Sequence, residues 1–277
     1  MKFRSTLLPI LLLALPLVLF LLLSYAVPLL GVIQWSVTEP QLVFSQYAKL
    51  SSDPLVISVF VRTFRICAIV TLLSVTGAYV VAYVWTRGTS FQRTAIEFCI
   101  LVPFWISVLT RAFGWLALLS TRGLINTWLI SLRFISDPLP LVRNELGVIV
   151  GMTHFLLPFA VFPIASAMRQ VDQRVLLAAR GLGAGRMRVF WKVFMPMTSS
   201  GVLGAALIVF VFALGFFVTP AILGGGRSVM VAELVYLRMF QSMDWGLGAA
   251  LSVTLVLFVA LLIGLVFRFL KPIGLLR

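Results

Sequence analysis

The sequence predicts an all-α polytopic membrane protein, and three observations carry that prediction. Hydrophobic residues make up 61% of the 277 positions and charged residues only 11%, against about 25% charged in an average soluble domain. Six apolar stretches are long enough to cross a hydrocarbon layer, which takes about 20 helical residues. None shows the period-2 alternation of a membrane strand. Such a composition excludes an ordinary cytosolic enzyme, a disordered chain and a secreted disulfide scaffold.

The expected spans are 7–33, 55–85, 95–119, 146–168, 198–220 and 246–267. Lys2 and Arg4 give the N-terminus a signal-like start. However, the apolar run after them exceeds a usual signal core and no A-x-A site follows, so it reads as a retained span. Cys67 and Cys99 lie inside apolar runs and read as small buried residues. Two isolated cysteines and one histidine give no metal site, and no cofactor is expected.

The net charge of +14 is distributed as a topology signal rather than a nucleic-acid surface. The N-terminus, 86–94, 169–192 and the C-terminus together hold 13 Lys and Arg against Asp172. The alternate segments hold nine against six acids: Glu39, Asp53, Asp137, Glu145, Glu233 and Asp244. The first set is therefore expected in the cytoplasm, with both termini inside. The chain divides into a first helix with its outer segment (1–54), a five-helix core (55–268) and a tail (269–277).

Two outer segments have structure of their own. Leu124, Trp128 and Leu132 recur at i, i+4, i+8 and predict a short amphipathic surface helix, ended by Asp137-Pro138 and Pro140. Gly224-Gly225-Gly226 predicts a flexible break, readable as an outer gate or as a loose loop, before helical 229–240.

The segment 169–196 is too polar to span and too patterned to be a tether. Val171, Val175, Ala178, Ala179 and Leu182 fall on one helical stripe, and Gly181, Gly183 and Gly185 stop that helix. A second helix follows from Arg186 to Phe194, ahead of Pro196. Small alanines suit a helix that docks into a groove on a soluble partner. The alternative is a basic helix lying on anionic headgroups.

Leu177-Ala178-Ala179, Gly183 six positions after Leu177, and Val193-x-Met195-Pro196 resemble the loop motif of integral subunits of binding-protein-dependent ATP-binding-cassette importers. The motif has Glu where Leu177 stands and Leu where Met195 stands. The stretch from Val102-Pro103-Phe104-Trp105 to Arg111-Ala112-Phe113-Gly114-Trp115 then narrows the likeness. So do Gly123-Leu124-Ile125-Asn126, Leu156-Leu157-Pro158-Phe159, Phe217-Val218-Thr219-Pro220 and Asp244-Trp245. Together they resemble the first permease subunit of spermidine/putrescine-type importers.

That resemblance implies a separate ATPase dimer, a homologous second permease as heterodimer partner, a periplasmic binding protein, and an inner-membrane setting in contact with lipid. It places Leu177, Ala178, Ala179, Arg180, Gly183 and Pro196 in the ATPase-docking loop. It also implies a polyamine or related small organic solute, although the 219–223 stretch has no acid. The chain lacks a G-x-x-x-x-G-K-[ST] phosphate loop, so it is not expected to be the ATP-hydrolysing enzyme.

Arg111 and His154 are the ionisable side chains well inside spans. A mid-span charge is costly and marks a functional candidate. Each lies eight residues from the same end of its expected span, so both read as one polar layer of a translocation path, with Trp105 and Trp115. The alternatives are a structural anchor for Arg111 and a satisfied core histidine. Phe104, Val108, Arg111 and Trp115 are expected on one helical face. Arg62 and Arg65 are expected to snorkel. The rival function is an ion-coupled secondary transporter, but such proteins use buried carboxylates and the deep span positions offer none.

Overall fold

The computed structural model describes residues 3–38 and 45–270, with side chains described for 13–38 and 45–268. Lys2, Glu39 and the tail from 271 onward lie outside them. All regular elements among the described residues are helical. In order they are α1 (Phe3–Thr38), α2 (Ser45–Ser52), α3 (Pro54–Arg87), α4 (Ser90–Trp105), α5 (Val108–Leu119), α6 (Leu124–Ser131) and α7 (Glu145–Gln170). Then come α8 (Gln173–Gly181), α9 (Arg186–Val189), a π-helical turn (Phe190–Phe194), α10 (Met195–Met197) and α11 (Ser199–Leu214). The chain ends with α12 (Val218–Gly224), α13 (Val231–Tyr236), a second π-helical turn (Leu237–Gln241) and α14 (Trp245–Leu270).

Among the described residues, four helices are each long and apolar enough to cross a membrane, and the number is six if each of two bent pairs is one span. Two expectations need correction here. The stretch 95–119 is not one helix: it breaks at Ile106-Ser107, and Ser90–Trp105 meets Val108–Ser131 at 105°. Ile106 leaves the helical region at φ −78° and ψ 133°, and its amide turns back to the Pro103 carbonyl at 3.2 Å, so the α-helical ladder stops there. Phe104 therefore does not share a face with Val108, Arg111 and Trp115. The stretch 198–220 also stops early, at Leu214, and α12 begins as a separate helix. Cys67 is buried as expected, but Cys99 is exposed on α4.

The chain forms two compact units. One draws on 1–57 and 235–257, where the Trp35 and Trp245 rings meet edge-on at 5.5 Å. The other draws on 58–234 and 258–277 and holds the main core. In it α7 packs against α11, α12 and α5. Its largest fully buried side chains include Ile66, Met152, Leu156, Ile164 and Met168. On α11, Gly201, Ala205, Val209 and Ala213 recur every four residues and are all buried. Lipid offers helices no hydrophobic drive to associate, so close approach of small residues carries the packing. A side chain at Gly201 would run into Ala167 and the Pro163 carbonyl of α7.

Candidate functional site

The loop 169–196 is built from local rules. Asp172 is the N-cap of α8, its carboxylate accepting from the Arg174 amide at 2.8 Å. The helix ends in a paired C-terminal motif: Gly183 donates to the Arg180 carbonyl at 2.9 Å and Ala184 to the Ala179 carbonyl at 3.2 Å. Gly183 has φ +85°, which a side chain would strain. Of the three glycines expected to stop the helix, this one carries the turn.

The segment after α9 widens into a π-helical turn just before Pro196. Lys192 is four residues ahead of Pro196, where a proline ring would crowd an α-helical carbonyl, and the wider turn relieves it. Aromatic contacts seat this turn on α3. The Tyr83 ring meets Phe190 at 5.8 Å and Phe194 at 5.7 Å, both edge-on. The C-terminal end of α3 is tied further by Trp85, which donates to Glu97 at 3.0 Å and carries the Arg169 guanidinium at 4.6 Å from its ring.

No residue of α8 is buried. Leu177 is 62% exposed and Leu182 90%. Val171 is buried ahead of the helix, so it leaves the expected stripe, which reduces to Val175, Ala178, Ala179 and Leu182. Leu177 and Arg180 stand on another face with Gln173 and Leu176, lining a cleft toward Tyr83, Arg87 and the π-helical turn. At about 100° per residue the two faces are roughly 200° apart.

The second candidate region joins α5 and α7. Trp115 Nε1 donates to His154 Nδ1 at 3.1 Å, which places the ring proton on His154 Nε2. The Arg111 guanidinium lies 3.9 Å from the Phe155 ring centre, and its buried Nε makes no hydrogen bond among the described residues. Arg111, Trp115 and His154 therefore do come together. Trp105 does not join them: it stands 85% exposed at the α4–α5 break.

Four features were not foreseen. Arg62 and Arg65 do not simply snorkel. Both pair with Glu145, at 3.5 and 2.6 Å, across some 80 residues of sequence. Buried Asn126 pins the α5–α7 connection, donating to the Ser120 and Leu139 carbonyls and accepting from the Leu139 amide. Local pattern gave no sign of either. The triple glycine is a defined left-handed turn, with Gly225 at φ +55° and Gly226 at +74°. Arg143 donates its amide to Leu223 beside it at 2.7 Å. Glu233, on α13, is buried, and burial pushes its carboxyl above the ordinary range, opposed by the Met230 amide.

Long apolar helices with an uncovered short helix between two of them describe a polytopic membrane protein. The family of binding-protein-dependent transport system inner membrane components matches residues 74–273, and the chain belongs to it. It is 32% identical over 216 residues to the spermidine/putrescine transport system permease protein PotB of Haemophilus influenzae, covering 78% of this chain and 76% of that one. The PotB protein of Escherichia coli K12 is 31% identical over 211 residues, covering 76% and 77%. The fold matches a solved bacterial ABC transporter involved in alginate import, with TM-score 0.76 at 16% identity over 98% of this chain and 96% of that one. The chain is thus a multi-pass inner-membrane permease component and not an enzyme.

Proposed function

We propose that this chain forms half of the translocation path of an ATP-driven importer for a polyamine or a related small organic solute. A second, homologous permease completes the path, a periplasmic binding protein delivers the solute, and a separate ATPase dimer docks on the loop 169–196. Both termini lie in the cytoplasm. The uncovered state of α8 supports this most directly: a capped helix that buries nothing of its own, with Leu182 bare, suits a surface completed by another chain. Ala178 and Ala179 supply the close approach. Leu177 and Arg180 belong to the same loop on the other face of α8, and Gly183 and Pro196 set its turn and its exit.

Arg111, Trp115 and His154 form the polar layer of the path, with Trp105 at its break. The Gly224-Gly225-Gly226 turn is the outer gate. The core assigned to 55–268 carries these parts, with 1–54 and 269–277 flanking it.

The docking reading is tested by co-purification of the ATPase from detergent. Ala178→Asp places an unpaired charge in the contact, which costs roughly 3–5 kcal/mol, and the ATPase is expected to be lost. Retention equal to the parent's overturns the docking assignment. Cysteines introduced at 111 and 154 test the path: reaction with water-soluble reagents in at least one transport state is expected, and silence in every state makes both residues structural.

A further inference from the structure

The far face of α8 lines a cleft of about 350 Å³ with the end of α3 and the 186–194 segment. Its walls carry three guanidinium side chains, Arg87, Arg180 and Arg186, with Gln173, Tyr83 and Phe194. No Asp or Glu lines it, and these arginines form no ion pair among the described residues. Arg87 lies over the Phe194 ring at 5.4 Å, which leaves its donor edge available. Three like charges gathered in one cleft without a counter-ion repel one another, and an anion relieves that. The planar guanidinium fork matches phosphate oxygens two at a time.

We propose that this cleft binds a phosphate group, supplied by the headgroup of an anionic phospholipid in the adjoining leaflet. The proposal rests on the reading above that sets the loop 169–196 at the cytoplasmic surface. Basic pockets between membrane helices on that side take anionic headgroups. Exposed Trp191, beside the cleft, has the amphipathic character of residues at headgroup level. Exposed Met187 offers apolar surface for an acyl chain. The arrangement of α8 makes the proposal specific. Gln173, Leu176, Leu177 and Arg180 face the cleft, whereas Val175, Ala178, Ala179 and Leu182 lie roughly 200° away. Headgroup and ATPase therefore use opposite sides of one short helix and occupy it together.

The test uses the assembled transporter, with its ATPase, reconstituted in bilayers of equal phosphatidylglycerol and phosphatidylcholine. Lipid retained after transfer to detergent is identified by mass spectrometry. At least tenfold enrichment of phosphatidylglycerol is expected. It falls to parity in the double variant Arg87→Gln/Arg186→Gln and survives in Arg87→Lys/Arg186→Lys. Displacement by millimolar inorganic phosphate assigns the site to a free phosphate, and resistance assigns it to the lipid. Equal retention of both lipids by the parent overturns the proposal, and that result stands even if the double variant fails to assemble. Enrichment unchanged in an assembled double variant overturns it as well. So does enrichment confined to preparations lacking the ATPase, since the arginines then belong to the docking contact. ATPase present with no lipid preference sinks the cleft alone. Loss of the ATPase from the parent sinks the docking reading instead.

Discussion

Helices α7 and α8 are neighbours in sequence, separated by Val171 and Asp172, yet they are stabilised in opposite ways. The first buries a nearly continuous face, from Gly147 to Met168, against other helices. The second buries no residue and is held by its two caps. α7 tolerates Pro158 and Pro163 because packing over-determines it. α8 has no such reserve, and an isolated helix of its length is marginal in water. The difference teaches that the caps of α8 do structural work that packing does elsewhere, and that its remaining free energy comes from what binds it.

The largest effect is expected where α7 meets α11. Gly201→Leu forces a side chain into Ala167 and the Pro163 carbonyl, costing about 3 kcal/mol. Thermal unfolding in detergent should show loss of the folded protein, and an unchanged midpoint would mean that the two helices separate without cost. Gly183→Val comes next. A β-branched residue at φ +85° adds about 1–2 kcal/mol of strain, confined to the end of α8. Membrane insertion should stay normal while ATP hydrolysis no longer drives uptake in vesicles. Normal uptake would show that the α8 stop is dispensable.

Asp172→Ala removes a cap worth about 1 kcal/mol. Hydrogen exchange should speed up at the first amides of α8 and stay unchanged in α7, and equal acceleration in both would erase the contrast between them. The smallest effect concerns Glu233. Its raised carboxyl holds a proton more tightly in the folded chain than in the unfolded one. Its contribution is therefore full at acid pH and is lost as pH rises through the folded value. Glu233→Gln should flatten that dependence, measured as unfolding midpoints from acid to neutral pH.

Much of this was legible in the sequence. Apolar length marked the membrane helices, and the i, i+4, i+8 spacing of Leu124, Trp128 and Leu132 marked α6. The apolar stripe with its alanines and the glycines after it marked α8 and its stop, whereas the N-cap role of Asp172 was not read from the sequence. The break at Ile106-Ser107 was not legible, because hydropathy averages over a short turn between two apolar helices. The pairing of Arg62 and Arg65 with Glu145 left no local trace, since it joins positions that only the fold makes neighbours. The two-faced character of α8 needed the position of α3, because periodicity groups residues by angle without saying what each angle meets. The bond from Trp115 to His154 was missed for the same reason, although the association of their layer was anticipated from depth along the helices.

The 105° break between α4 and α5 has a consequence for where lipid can lie. A helix end leaves its last carbonyls and first amides without partners inside the helix. Here two such ends face each other across Ile106 and Ser107. Hydrocarbon contains nothing able to hydrogen-bond them, and each bare group there costs several kcal/mol. Wherever this patch lies at membrane depth, acyl chains cannot satisfy it, and water or another protein surface must. Trp105 stands bare at that corner.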